Sequence, residues 1–383
     1  MRLPGGAPTG VRLAIGGATL LAAAAISLFP HAANAETPDS AAIRPTAQIF
    51  GFAQFDYRRA SESDTATSSR HEFNVRRARL GVRGSVIPAV RYQLIFQGDG
   101  LNANSVSVLD MILDARIAPG LNLRMGQFKY DFDIEARMAD MNTPMTDRSF
   151  VTNTVAGSLD GRSSASVQAS SARDRGVALQ ASRKTGSWEW RPALGVFQGT
   201  GRASDANNEV SVTGQVAVEG GPGLLLSGGY LYSDNEPSGG AGIDRFSGWT
   251  VGGRYRANRL YASGEYYRAE RDRGTSDEDV EGFYVIGGFD PIPRLDLRVR
   301  YQALEDGQFA PGDDRARSVD LGVRWFLERA SGGGGASIVT NVMFRDADSG
   351  FRGLTLLNDG RGPQIADGSQ AKTVAIVRMQ FEF

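Results

Sequence analysis

Arginine at every second position is the chemical signature of this chain. Arg77, Arg79 and Arg83 stand at even spacing, and Arg91, Arg116, Arg124, Arg254, Arg256, Arg298, Arg300 and Arg324 fall into similar rows. A guanidinium keeps its charge at any relevant pH and offers a planar fork to carboxylate or phosphate groups. Rings of such forks around an opening favour anions. The same rows carry Asp99, Asp110, Asp114, Glu265, Asp296 and Asp320, so part of the positive excess is expected to cancel by pairing.

A second candidate is the long connection 131–172. Its acids Asp131, Asp133, Glu135, Asp140, Asp147 and Asp160 outnumber its bases Arg137, Arg148 and Arg162. Long loops without regular structure usually have a function or are disordered. A short helix is expected over Asp133–Met141.

Other chemistries find no support. The chain has no Cys, which excludes disulfides and thiolate metal sites. His31 lies in the N-terminal segment, which leaves His71 as the one imidazole for a Ser-His-Asp arrangement. No catalytic residues are expected. The acidic stretches Asp272–Glu281 and Asp313-Asp314 lack the spacing of an EF-hand and read as solvated loops. Gly252-Gly253 and Gly287-Gly288 precede no helix with Lys-Ser/Thr, so they are no phosphate cradle. Neither a metal nor a cofactor is expected.

The elements that must position the arginines are strands. In the last stretch, Thr373, Ala375, Val377, Met379, Phe381 and Phe383 alternate with Val374, Ile376, Arg378, Gln380 and Glu382. A period of 2 with one apolar face is a strand. The pattern recurs in segments of about ten residues, the length of a tilted membrane strand. Ile49 to Tyr57 and Ala78 to Val86 give apolar rows. So do Leu109, Met111, Leu113, Ala115 and Ile117, and later Val280, Tyr284 and Ile286. The total is about sixteen, an even number as single-chain bacterial barrels require. Pro192 inside one row donates no ladder hydrogen bond and predicts either a bulge there or a strand boundary at a different place.

Connections alternate as well. Tight turns at Ala118-Pro-Gly120, Thr185-Gly-Ser187 and Arg256-Ala-Asn258 alternate with long polar loops such as 61–70, 233–245 and 345–370. Aromatics sort to the strand ends: Phe55, Tyr57, Tyr230, Trp249, Tyr266 and Tyr301 at one rim, Trp188, Trp190, Tyr255, Trp325 and Phe381 at the other. Two girdles around an aliphatic band match the two interfaces of a bilayer.

Residues 1–35 read as a secretory signal peptide: Arg2 and Arg12, an apolar run from Leu13 to Phe29, then the small-residue cleavage pattern Ala33-Asn34-Ala35. Residues 36–45 read as a flexible leader and 46–383 as the barrel. The 42 basic and 43 acidic residues nearly cancel, which removes any nucleic-acid argument from net charge.

Residues 73–130 resemble the phosphate-selective porin O and P family. The carrying stretches are Arg76-Arg-Ala-Arg-Leu-Gly-Val82, Tyr92-Gln-Leu-Ile-Phe96, Leu109 to Ala115 and Leu123-Arg-Met-Gly-Gln-Phe-Lys129, with later landmarks at Asp147-Arg-Ser149 and Gly195-Val-Phe-Gln-Gly199. The resemblance implies a sixteen-stranded, usually trimeric outer-membrane porin with an Arg-lined lumen. It implies that loop 131–172 folds into the lumen and narrows it, with Asp133, Glu135, Arg137, Asp140, Asp147 and Arg148 at the constriction. The phosphate-specific members carry a lysine cluster. This chain has only Lys129, Lys184 and Lys372, so phosphate specificity does not carry over.

The expectation is an all-β transmembrane antiparallel barrel, with short periplasmic turns and long extracellular loops. It would pass ions and small hydrophilic solutes passively, with a weak anion preference. Its partners would be outer-membrane lipid, two further copies of itself, and the barrel assembly machinery through Phe383. The competing readings are a secreted soluble β-rich binding protein and a closed barrel acting as an adhesin.

Overall fold

The computed structural model describes residues 45–61, 70–98, 106–157, 173–199, 210–234, 245–272, 277–307, 311–312, 314–329, 335–348 and 373–383. The expected signal peptide and most of the leader lie outside these residues. So do Asp99, Asp313 and residues 158–172 of the long connection, including Asp160 and Arg162.

The described chain is nearly all strand. In order these are β1 (Gln48–Ser61), β2 (Arg70–Ile87), β3 (Val90–Gly98), β4 (Val106–Ala118), β5 (Leu121–Lys129), β6 (Arg173–Ala181), β7 (Arg183–Thr185), β8 (Trp188–Phe197), β9 (Ser211–Gly220) and β10 (Leu224–Asp234). They continue with β11 (Arg245–Ala257), β12 (Leu260–Asp272), β13 (Asp277–Ile292), β14 (Leu295–Asp306), β15 (Arg315–Arg329), β16 (Gly335–Ala347) and β17 (Thr373–Glu382). Neighbours pair antiparallel, and β17 returns to β1, closing the sheet. Closure leaves no unpaired strand edge, the requirement for backbone inside a bilayer. Phe383 completes the seam: its N–H and carbonyl exchange two 3.0 Å hydrogen bonds with Gly51. A side chain at position 51 would collide with the Phe383 ring.

β6 and β7 are one stave in an unbroken register, Gln180 opposite Ala193 and Arg183 opposite Trp190, so the barrel has sixteen staves. The interruption at Ser182 lies opposite Arg191-Pro192. Proline has no N–H for the ladder. Ser182 instead donates its N–H to Gly120 on the other side, at 2.7 Å. The bulge expected at Pro192 is absent: Pro192 pairs with Val216 without a shift in register.

Bulges occur elsewhere, and they turn side chains around. The β1–β2 register jumps between Gln54 and Phe55, leaving Arg76 as an extra residue. Arg76 and Arg77 then both point inward and are buried. The β3–β4 register jumps at Ile95 and Phe96, so Leu109 shares the interior with Asp110 instead of joining the outward row of Met111 and Leu113. One extra residue in a period of 2 reverses the face.

Outward faces carry the aliphatic band and both aromatic rims, with Phe55, Trp188, Trp190, Tyr230, Trp249, Tyr301, Trp325 and Phe381 all exposed. The tight turns use left-handed residues where two-residue hairpins need them, as at Asn258 (φ 52°) and Gly186 (φ 60°). The row Val280, Tyr284, Ile286 departs from the expected pattern. It is buried on the inner face, and Phe283 and Val285 face outward. The reason is helix α1 (Phe150–Gly157), which packs against β12, β13 and β14 from within and makes an apolar core with Tyr267, Val280 and Leu304.

Candidate functional site

After β5 the chain turns inward. Residues 130–157 run through the barrel interior, and most of them are buried; Arg137, Ala139 and Asn142 are exposed. The helix expected at Asp133–Met141 is a series of turns ending in a 3₁₀ turn, Asp140–Asn142. The helix comes later, at α1. Its start is set by Ser149, whose Oγ accepts the N–H of Thr152 at 2.9 Å, an N-cap bond.

Two flanks hold this loop. On the first, the wall supplies arginines and the loop supplies acids. Asp140 takes charge-assisted hydrogen bonds from Arg79 and Arg148, with Arg77 at 3.7 Å. Asp147 lies 3.6 Å from Arg76, 3.6 Å from Arg378 and 3.9 Å from Arg58. Arg378 grips Asp56 with two bonds of 2.7 and 2.8 Å and donates to the Thr146 carbonyl. Burial alone would raise the pKa of both loop acids. The guanidiniums outweigh it: Arg148, Arg77 and Arg79 hold Asp140 well below the ordinary carboxylate range, and Arg58, Arg378 and Arg76 do the same for Asp147.

On the second flank the wall supplies an acid and the loop supplies N–H groups. Glu265 of β12 accepts from Ile134 N–H at 2.6 Å and Glu135 N–H at 2.9 Å, and from the hydroxyls of Tyr284 at 2.6 Å and Tyr267 at 3.1 Å. Glu135 accepts from Ser149 N–H at 2.9 Å and Thr152 Oγ1–H at 2.7 Å. Asp133 accepts Ala136 N–H at 2.8 Å. Burial pushes Asp133 up to about 6; the Ala136 bond opposes the rise and neighbouring Glu135 adds to it.

Further ties complete the circuit. Lys129 donates to the carbonyls of Ala136 (2.5 Å) and Met138 (2.9 Å). Arg137 pairs with Asp131 at 2.9 Å and donates to Gln215. Gln302 meets Phe150 N–H at 2.9 Å, Asn341 meets Thr146 N–H at 2.7 Å, and Arg324 reaches the Thr143 carbonyl at 2.7 Å. The loop backbone also lies directly on β10: a Cβ at Gly229 would sit 2.0 Å from the Phe132 carbonyl oxygen.

The arginines singled out in the sequence divide into two sets. Arg77, Arg79, Arg298, Arg300 and Arg324 are buried. Arg300 pairs with Asp320 at 2.6 Å and approaches Glu135 at 3.6 Å, and Arg298 bonds Asp290 at 2.6 Å. Arg83, Arg91, Arg116 and Arg256 are exposed; Arg124 and Arg254 are intermediate. Arg124 pairs with Asp114 at 2.8 Å. Arg254, Arg256 and Arg324 line a cavity of about 730 Å³ beneath the loop, on the side of the short turns, together with the acids Glu219, Asp296, Glu328 and Glu382. Sequence reading missed Arg58, Arg76 and Lys129. Arg58 alternates with Asp56 on the polar face of β1 and was findable by period; Arg76 was hidden by its bulge.

Among the described residues no group of His, Cys, Asp and Glu has metal-holding geometry. What the arrangement can do is narrow an opening and set the charge around it.

No curated protein matches the chain. Among solved structures, the anion-selective porin from Comamonas acidovorans aligns with 88% of this chain and 99% of its own length, at TM-score 0.65 and 14% identity. In-vitro folded OmpT of Vibrio cholerae in its trimer form gives TM-score 0.57 at 14% identity, covering 88% and 99% of the two chains. OmpF of Salmonella typhi in complex with daunomycin gives 0.58 at 13% identity, covering 88% and 97%. Likeness at these identities is one of fold. The family described as phosphate-selective porin O and P matches residues 48–254, more than half of the chain, in the region that holds Arg77, Arg79, Arg83, Arg91, Arg116, Arg124 and Arg254, the inward loop and strands β1 to β10. This chain therefore belongs to the phosphate-selective porin O and P family, as an outer-membrane porin.

Proposed function

We propose that the channel passes small hydrophilic anions in preference to cations, weakly, and that residues 131–172 are its constriction. The observation that carries this reading is the division of the arginines. Of the buried set, Arg77, Arg79, Arg300 and Arg324 seat the loop through Asp140, Glu135 and the Asp147 and Thr143 carbonyls, and Arg298 pairs with Asp290 and Asp296 on the wall. The accessible set, Arg83, Arg91, Arg116, Arg254 and Arg256, biases the aqueous path, and the bias is weak because Asp290 lies 3.5 Å from Arg256 and Glu219, Glu328 and Glu382 line the same cavity. Charges along a narrow path act within a Debye length of about 8 Å at physiological salt, so the preference strengthens as salt is lowered.

The test is the reversal potential of single channels in a salt gradient. Replacing Arg83, Arg254 and Arg256 with Ala should move it towards cations without changing loop seating. A wild-type channel selective for cations would overturn the reading.

Export by residues 1–35, insertion through an assembly machinery that reads Phe383, contact with outer-membrane lipid and assembly as a homotrimer belong to the same proposal. The trimer form of OmpT supports the last by analogy. Crosslinking in native membranes should give three linked copies; monomers alone would count against it.

A further inference from the structure

The second flank holds fewer hydrogens than its geometry requires. Tyr267, wholly buried on β12, has one phenolic hydrogen. Around it stand Thr152 Oγ1 at 3.0 Å, Glu265 Oε2 at 3.1 Å and Asp133 Oδ2 at 3.4 Å. Thr152 gives its own hydrogen to Glu135, so towards Tyr267 it can only accept. Glu265 already accepts from two N–H groups and two phenols. Asp133 receives Ala136 N–H on Oδ1, which leaves Oδ2 turned to the phenol oxygen. With both carboxylates ionised, three acceptors share one hydrogen, and two negative charges flank one phenol away from water. A proton on Asp133 Oδ2, directed at Tyr267, completes the set.

The surrounding charges do not remove this need. The loop contributes Glu135 and Arg148, β5 Lys129, β12 Glu265, β13 Tyr284 and β14 Arg300. Arg148 is engaged with Asp140 and the Glu135 carbonyl, Lys129 with two loop carbonyls, Arg300 with Asp320. Among the described residues no guanidinium or ammonium pairs directly with Asp133 or Glu265.

We propose that seating the loop on β12 takes up a proton at the Asp133–Tyr267–Glu265 cluster, so that the constriction is tightest in acid and loosens as pH rises. This rests on the porin reading above and adds a regulatory role to the same loop. The direction follows from linkage. A group whose pKa is raised in the seated state stabilises seating below its ordinary value of 3.8 and loses that contribution as pH climbs through about 6. The ratio of seated to loose loop falls at most tenfold for each pH unit across that range.

The experiment records single channels of the purified full chain in symmetric potassium chloride from pH 4 to pH 8. Heat-modifiable gel migration verifies that each variant is folded. Larger-conductance openings should become more frequent with rising pH, with a midpoint above the ordinary carboxylate range. Asp133→Asn, whose amide can donate to Tyr267 at every pH, should hold the smaller conductance throughout. Glu265→Gln removes the neighbouring negative charge and should lower the midpoint; it carries the test if Asp133→Asn does not fold. His71→Gln, outward on β2, should keep the wild-type profile. A pH-independent wild type, a wild-type profile in Asp133→Asn or an unmoved midpoint in Glu265→Gln would each overturn the inference. So would a profile lost in His71→Gln. Folded protein with no channel activity at any pH would overturn the porin reading itself, whereas channels without the pH response sink only the inference.

Discussion

The two flanks of the loop solve one problem with opposite charge assignments. On the β1–β2–β17 flank the wall is cationic and the loop anionic, so each contact is a buried ion pair. On the β12–β13 flank the wall is anionic and the loop answers with backbone N–H groups and no cation. Removing one partner of a buried pair leaves the other uncompensated, which costs about 3–5 kcal/mol. Removing a hydrogen bond to a charged group costs about 1.5–3 kcal/mol. The arginine flank is therefore the rigid attachment and the carboxylate flank the adjustable one.

The comparison is broken most severely at Asp140. Asp140→Ala strands Arg79 and Arg148 together inside the barrel. We expect a loss of about 3–5 kcal/mol in loop seating, read as a large rise in single-channel conductance and a lower temperature for the heat-modifiable shift. Conductance equal to wild type would mean that the loop is held chiefly by β12 to β14.

Next in size is Gly229→Ala, which puts a methyl group where the Phe132 carbonyl lies. Overpacking of this kind costs about 1–3 kcal/mol and should widen the channel from the carboxylate side while leaving Asp140 paired. Lys129→Met removes two charge-assisted bonds to loop carbonyls but also relieves a buried ammonium of its desolvation, so its net effect should be smaller. Thermal unfolding of the two variants side by side ranks them.

The subtlest test is the pH profile at its acid end. Asp140 and Asp147 have lowered pKa values, so their contribution is present above the ordinary carboxylate value of 3.8 and is lost as pH falls through the depressed values. The carboxylate flank moves the other way, weakening as pH rises through about 6. Seating should be firmest near pH 4, with conductance rising steeply only in strong acid and gently towards neutrality. A monotonic profile would mean that one flank dominates.

Much of this was legible without coordinates. The alternation that makes Thr373 to Phe383 a strand, and places Arg77, Arg79 and Arg300 on the polar face, is a property of the backbone pleat and needs only neighbours in sequence. The same local rule gave the tight turns, the aromatic rims and the even number of strands. It failed at Arg76 and Leu109, where one bulged residue reverses a face, and at Val280, Tyr284 and Ile286, which point inward. Apolar residues face the lipid by default, but here helix α1, more than a hundred residues earlier in the chain, packs against that row from inside. Whether an arginine borders the aqueous path or lies beneath the loop likewise depends on partners far away in sequence, as Arg378 and Thr146 demonstrate. Spacing along the chain determined the wall and its charge. Contacts across the barrel alone decided which of those charges the interior loop covers, because burial and pairing depend on distance in space.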